Sequence, residues 1–334
     1  MSARRRDPHK AKLRRDRIRR AKHAQKAAPS WRDEVPPALA HPFAAERALR
    51  EVQALIEGQK FESVDEINAQ LAALTAGGRL SERATAWKRD DPKWRAQELA
   101  YDALETDDLV EALRLIHEAL KLDPDCTDAQ RLMVSVATAS LENRLHLMRE
   151  VVDKAERNLG ESFFQENSGH FWGATSTRPY MRAKRHLGEL LTETGNLEEA
   201  IAVFERMLEL NPHDNQGIRY PLLGLYLAMN QPDGARRVMA RFPDEEKFMA
   251  SFAWARVLEQ WLSGDMDQAD AALARARGVN RLAEPYISGV KAIPLETPEY
   301  YRPGEESEAQ ICAKELSIAW QNHTGFREWL RARS

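Results

Sequence analysis

The sequence predicts an all-α protein folded as a right-handed α-α superhelix of stacked helix pairs. Amphipathic segments recur with a period of about 34 residues between 94 and 280. Within each segment the apolar residues follow helical spacing, and strand-like alternation is negligible. Of the 334 residues, 43% are hydrophobic and 30% are charged, which is enough apolar content for a core.

The clearest copies of the period are 93–125 and 181–213. Small residues at two slots let the helices of a pair approach closely, large apolar residues fill the groove between them, and a proline ends the second helix. This slot pattern is that of the tetratricopeptide repeat. The aligned slots are Ala100 with Gly188, Ala112 with Ala200, Ile116 with Phe204, Ala119 with Met207, and Pro124 with Pro212.

Three weaker copies extend the array to residue 280. They cover 128–160, 214–243 and 248–280, and the first of them keeps the apolar period but has lost the small-residue slots. Repeats of this kind bury their apolar faces on their neighbours. We therefore expect five helix pairs in a tetratricopeptide-repeat array over 94–280.

The segment before the array predicts a helical hairpin over 44–80, preceded by a proline-rich linker over 29–43. Ser63 followed by Glu66 predicts a capping box at the start of the second hairpin helix. After the array, we expect an irregular segment and C-terminal capping helices over 281–334, with the last helices at 307–322 and 326–333.

Residues 1–28 form a basic arm with 12 Lys and Arg against two Asp, a net charge of +10, whereas the remainder has a net charge of −13. With few large apolar side chains, the arm is expected to be disordered. It is either an arm that binds the phosphates of RNA, a ribosome or anionic lipid, or a solvated tail without a specific partner. The candidate anion-binding residues are Arg4, Arg5, Arg6, Lys10, Lys12, Arg14, Arg15, Arg17, Arg19 and Arg20.

Four motifs carry a resemblance to a known family. They are GHFWG at 169–173, TRPYMRA at 177–183, NPHDNQGIRY at 211–220 and EPYISGVKAIP at 284–294. In these the chain resembles the bacterial relatives of the suppression-of-tumorigenicity-seven family of tetratricopeptide-like proteins. The resemblance implies a helical-repeat interaction protein. It carries over neither the membrane segments of the eukaryotic members nor the cysteine-rich metal-binding motif of some bacterial ones, because this chain has no counterpart of either.

The segment 161–180 is rich in aromatic residues and lies between the second and third repeats. Together with nearby arginines it predicts a peptide-binding groove on the concave face around repeats three and four. In the alternative, the aromatics fill the core and Glu189, Glu193 or Asp214 neutralise the arginines. The candidate ligand-binding residues are His170, Trp172, Arg178, Tyr180, Arg182, Arg185, Asn215, Gln216, Arg219 and Tyr220; Arg178, Arg182 and Arg219 are expected to face an acidic or carboxylate-bearing group.

No phosphate-binding loop, nucleophile elbow or zinc-binding helix motif occurs in the sequence. Cys126 and Cys312 are expected to be buried small hydrophobes, and His170 is the one candidate for a general base or ligand. We therefore expect a soluble, cytoplasmic, non-catalytic scaffold that binds a protein or peptide, with no cofactor and no metal. An RNA- or ribosome-associated factor is the alternative, and an unrecognised enzyme is the third possibility.

Overall fold

The structure is a computed structural model that describes residues 43–56, 63, 65–66, 68–69, 72, 90–137, 140–296, 298 and 300–334. The basic arm, most of the linker and about half of the hairpin lie outside these residues. Contacts divide the chain into two compact units, residues 1–89 with 104–107 and residues 90–103 with 108–334.

In chain order the α-helices are α1 (Ala44–Ile56), α2 (Pro92–Glu105), α3 (Leu109–Leu122), α4 (Thr127–Ala137), α5 (Leu141–Leu159), α6 (Glu161–Asn167), α7 (Arg178–Glu193), α8 (Leu197–Leu210), α9 (Arg219–Ala228), α10 (Pro232–Arg241), α11 (Glu245–Phe248), α12 (Ala250–Leu262), α13 (Met266–Asn280), α14 (Glu284–Ile287), α15 (Glu306–Glu315), α16 (Ser317–Asn322) and α17 (Thr324–Arg331).

The described part of the chain is helical, without strands, as the sequence predicts. The five predicted repeats correspond to α2 with α3, α4 with α5, α7 with α8, α9 with α10, and α12 with α13. Successive pairs pack on one another, and the first helices α4, α7, α9 and α12 each contact their own second helix and a neighbouring pair. This is the arrangement of an all-α helical-repeat superhelix.

The small-residue slots hold the helices of a pair together. In the third pair, Gly188 on α7 lies against the ring of Phe204 on α8, so close that an added Cβ would overlap the ring. The turn between these helices is made by Gly195, whose φ of 78° favours glycine. The backbone N–H of Asn196 then donates to the Leu191 carbonyl at 2.8 Å and closes the end of α7.

Two clusters of buried apolar residues make up the core of the unit 90–103 with 108–334. One contains residues of the first pair and the start of α4, and the other extends from Val134 on α4 to Leu330 on α17. A groove of about 400 Å³ marks the division, and Met133, Leu120 and Leu147 are among the residues that line it. The division falls in the repeat whose small-residue slots the sequence has lost.

The C-terminal helices contact two repeats, the fourth and the fifth. α15 and α16 pack on α9 and α12, the first helices of the fourth and fifth pairs. Leu316 is fully buried, and its Cδ2 would lie 3.1 Å from a Cβ added to Gly224 of α9. The sequence predicts one continuous helix over 307–322, but the structure divides it at Leu316 into α15 and α16. This break allows the segment to follow the surface of the repeats.

In the unit formed by 1–89 and 104–107, the structure describes α1 and a few residues of the second predicted hairpin helix. The Ser63 Oγ accepts the backbone N–H of Glu66 at 3.2 Å, which is the serine half of the predicted capping box. The remainder of the hairpin lies outside the described residues.

Candidate functional site

The candidate site is the inner face of the array, the side on which the first helices of the pairs lie. On α9 and α12 this face is covered by the chain's own C-terminal helices. Ser251 of α12 donates to Glu315 of α15 at 2.6 Å, and the backbone N–H of Ala250 donates to the buried carboxylate of Glu308 at 3.1 Å. Among the described residues, Arg185 and Glu189 on the inner face of α7, in the third pair, remain nearly half exposed. The sequence predicts a surface around repeats three and four, and the covering of α9 removes the fourth repeat from that surface.

α7 and α4 are joined by a buried ion pair. Arg182 of α7 donates to both oxygens of Asp128 on α4, through Nε at 3.0 Å and Nη2 at 2.5 Å. Asp128 is completely buried, and Gln97 of α2 also donates to it at 2.8 Å. Burial alone would raise the pKa of Asp128, but the charge and hydrogen bonds of Arg182 outweigh it and lower the pKa to about 2. Arg182 is therefore fixed by an internal carboxylate.

Arg185 lies on the same face of α7 and is 45% exposed. Its Nε donates to Glu189 at 2.8 Å, one turn along the helix, and its Nη1 donates to the Gln216 carbonyl at 3.0 Å. Gln216 in turn donates to the Met181 carbonyl at 3.4 Å. The guanidinium is thus held at the surface of the inner face, within reach of a ligand.

Arg219 opens α9, as the sequence predicts, but it too has internal carboxylates. Its Nη1 lies 2.9 Å from Asp214 and its Nη2 lies 3.1 Å from Glu245. The Asp214 side chain also accepts the backbone N–H of Ile218, so it caps the start of α9. The sequence analysis considers Glu189, Glu193 and Asp214 as local partners of the arginines. In the structure Glu189 pairs with Arg185 and Asp214 pairs with Arg219.

Among the aromatic residues of 161–180, Phe171 and Tyr180 lie in the core, and Phe163 and Phe164 are partly buried and pack against it. Phe171 is fully buried, and its ring contacts Phe163, Phe164 and Tyr180 with centroid distances of 4.9 to 6.0 Å. Tyr180 is 2% exposed and donates to Glu156 at 2.7 Å, so it is not presented to a ligand. The core-filling interpretation therefore describes these rings.

The remaining candidates lie at the edge of this segment. Trp172 is half-buried, and the Arg178 guanidinium lies over its ring at 5.0 Å while Arg178 Nε donates to its carbonyl at 3.0 Å. His170 and Asn215 are exposed, and Tyr220 donates to Glu245 at 2.9 Å. The structure therefore does not gather Arg178, Arg182 and Arg219 around one anion: each contacts a different internal acceptor.

The cysteines are both buried, as expected, and burial raises the pKa of the Cys312 thiol. Over the described ranges, no group of three or more His, Cys, Asp or Glu side chains is placed to hold a metal ion. Within the same part of the chain, no helix combines the length and apolar character needed to cross a membrane.

A family model matches part of the chain. The family model described as Tetratricopeptide repeat matches residues 191–260, which extend from the end of α7 into α12. No curated protein sequence matches the chain. The match and the stacked helix pairs together make this a protein that contains tetratricopeptide repeats.

Proposed function

We propose that this chain is a non-catalytic scaffold that binds a protein partner through an extended peptide segment on the inner face of α4 and α7. Tetratricopeptide repeats generally mediate protein–protein interaction, and their concave surfaces bind extended segments. The observation that supports this location is the covering of α9 and α12 by α15 and α16, whereas Arg185 and Glu189 on α7 remain nearly half exposed.

The geometry of the face favours binding. The buried Asp128–Arg182 pair fixes the two helices relative to each other, so the surface is preorganised. Arg185 and Glu189 are each nearly half exposed and present a cation and an anion to a partner. A guanidinium held by a backbone carbonyl retains further N–H groups for a ligand acceptor.

A charge reversal on this face tests the proposal. We expect Arg185→Glu to reduce the amount of co-purified partner at least tenfold, about 1.4 kcal/mol of binding free energy. Arg206→Glu on α8 is the matched control, because Arg206 has similar exposure (42%) but lies on a second helix, away from the inner face. Both full-length variants are compared with the unaltered chain by quantitative mass spectrometry, after circular dichroism has shown equal helicity. Equal retention of partners by the two variants would rule out this binding face.

The charge of the N-terminal arm supports a second candidate, association with RNA or a ribosome. The net charge of +10 over residues 1–28 suits phosphate binding, whereas the net charge of −13 on the remainder repels it. Deleting 1–28 separates the candidates. A scaffold keeps its protein partners after the deletion, and an RNA-associated factor loses RNA together with the steep salt dependence of its binding.

We also propose, from the GHFWG, TRPYMRA, NPHDNQGIRY and EPYISGVKAIP motifs, that the chain is a bacterial relative of the suppression-of-tumorigenicity-seven family. The core position of Phe171 and the Asp214 cap of α9 give two of these motifs a structural role. An alignment of relatives in which Phe171 and Asp214 varied freely would count against the assignment.

A further inference from the structure

A pocket of about 460 Å³ lies on the side of the second helices, away from the inner face. Its walls come from the end of α5, the start of α6 and from α8. The residues that line it are Glu156, Arg157, Gly160, Glu161, Phe164 and Arg206. Pockets that hold small ligands span about 300–1,000 Å³, so this one is large enough for a molecule the size of an amino acid.

The shape of the pocket depends on the turn between α5 and α6. Gly160 makes this turn with a φ of 81° and a ψ of 151°, a backbone region that is essentially restricted to glycine. A Cβ added to Gly160 would meet no atom within 4 Å, so the backbone there borders open space. The ring of Phe164 supplies the apolar wall. It is held in place by Phe171 at 4.9 Å and Tyr180 at 5.5 Å between ring centroids.

Glu156 supplies a fixed hydrogen-bond acceptor. The Tyr180 hydroxyl and Lys184 Nζ both donate to its Oε1, at 2.7 and 2.9 Å, so Oε2 is left for a ligand among the described residues. Burial would raise the pKa of Glu156, but the hydrogen bonds from Tyr180 and Lys184 outweigh it and lower the pKa. The carboxylate is therefore ionised at pH 7, and the buried Lys184 neutralises its charge.

One further cation and one further anion face the pocket without ion pairs. Arg206 is neutralised by Glu209 at 2.8 Å. Arg157, in the last turn of α5, and Glu161, in the first turn of α6, form no ion pair with any residue that the structure describes. A ligand that complements this pair carries one negative and one positive group. An inorganic anion or a polyamine would match only one of the two.

We propose that this pocket binds a free apolar or aromatic amino acid through both of its charged ends. The α-carboxylate accepts two parallel N–H bonds from the guanidinium of Arg157. The α-ammonium group donates to Glu156 Oε2 and to Glu161, and the side chain packs on the ring of Phe164. The site is separate from the inner face, so the proposed function does not depend on it.

Isothermal titration calorimetry of the full chain at pH 6 tests the proposal with four compounds. L-Phenylalanine carries both charged ends, N-acetyl-L-phenylalanine lacks the ammonium group, L-phenylalanine amide lacks the carboxylate, and glycine lacks the side chain. We expect saturable binding of phenylalanine, with each of the other three compounds bound at least tenfold more weakly. Equal affinity for phenylalanine and its N-acetyl derivative would indicate a site for the carboxyl terminus of a peptide and would overturn the proposal.

A substitution of Arg157 separates a ligand contact from a structural effect. Arg157→Ala should weaken the binding of phenylalanine at least tenfold without weakening that of the amide, because the amide has no carboxylate for the guanidinium to hold. Arg114→Ala is the matched control, since Arg114 is a 50% exposed arginine on α3, the second helix of the first pair. Circular dichroism first establishes equal helicity of the variants. Absence of saturable phenylalanine binding, or equal losses in the two variants, would show that the pocket is not an amino-acid site.

Discussion

Replacing Asp128 by asparagine removes a buried negative charge that joins α4 to α7 and to which Arg182 donates through two nitrogen atoms. Asp128 is fully buried and the Arg182 side chain is 13% exposed, so little solvent compensates for the loss. Breaking a buried pair from one side costs about 3–5 kcal/mol, and the remaining exposure of Arg182 places the expected loss near the lower bound, about 3 kcal/mol. The lowering of the pKa of Asp128 from 3.8 to about 2 corresponds to about 2 kcal/mol of stabilisation of its charged form in the folded protein, which is a similar magnitude.

The assay is urea unfolding at pH 7 followed by far-UV circular dichroism. Arg182→Met is the companion variant, and the double variant closes a thermodynamic cycle. We expect the double variant to lose about 1–3 kcal/mol less than the sum of the two single losses, because each single substitution already removes the interaction between the two side chains. The reasoning is refuted if Asp128→Asn costs less than about 1 kcal/mol or if the two losses simply add.

Three further predictions concern packing and pH. Gly188→Ala should lower the free energy of unfolding, measured in urea, by about 1–3 kcal/mol, because the new Cβ overlaps the ring of Phe204. Gly278→Ala is the control: it lies on the exposed side of α13, a Cβ there meets nothing within 4 Å, and it should stabilise the protein by up to about 1 kcal/mol. Equal effects of the two substitutions would show that the slot at Gly188 is not tightly packed. The free energy of unfolding should fall as the pH drops below about 6.5, because the lowered pKa of His186 makes the unfolded state bind more protons than the folded state. Thermal unfolding in buffers of pH 5 to 7 measures this dependence, and His186→Gln should flatten it. Gly224→Val should lower the midpoint of thermal unfolding by several degrees because its side chain meets Leu316, and an unchanged midpoint would indicate that α15 and α16 are loosely attached.

The repeat array was predictable because its determinants are local. Apolar period, small-residue slots and terminal prolines are all encoded within about 34 residues, and the Gly188–Phe204 contact shows the slots acting as expected. The division of the core at Val134 also follows from the loss of small residues in the second repeat.

The site was predicted less well because it depends on contacts between distant segments. Asp128 occupies the first turn of α4, where the helix dipole alone explains an acidic residue, so its pairing with Arg182 could not be predicted from the sequence. The covering of α9 by the segment around Leu316 joins residues about 90 positions apart, and periodicity contains no information on such packing. The buried position of Phe171 was one of two open interpretations, because aromatic density is typical of both a pocket and a core.

The most direct measurement of the central claim, that a partner binds the inner face of α4 and α7, is site-specific photo-crosslinking in the cell that expresses the full chain. A photoreactive phenylalanine derivative replaces Glu189 on the inner face in one variant and Glu209 on α8 in the other, since both positions are well exposed at 46% and 59%. The account predicts a discrete crosslinked protein from position 189 and none from position 209, with the Arg185→Glu substitution removing the product. Crosslinks of equal yield from both positions, or from position 209 alone, would contradict it.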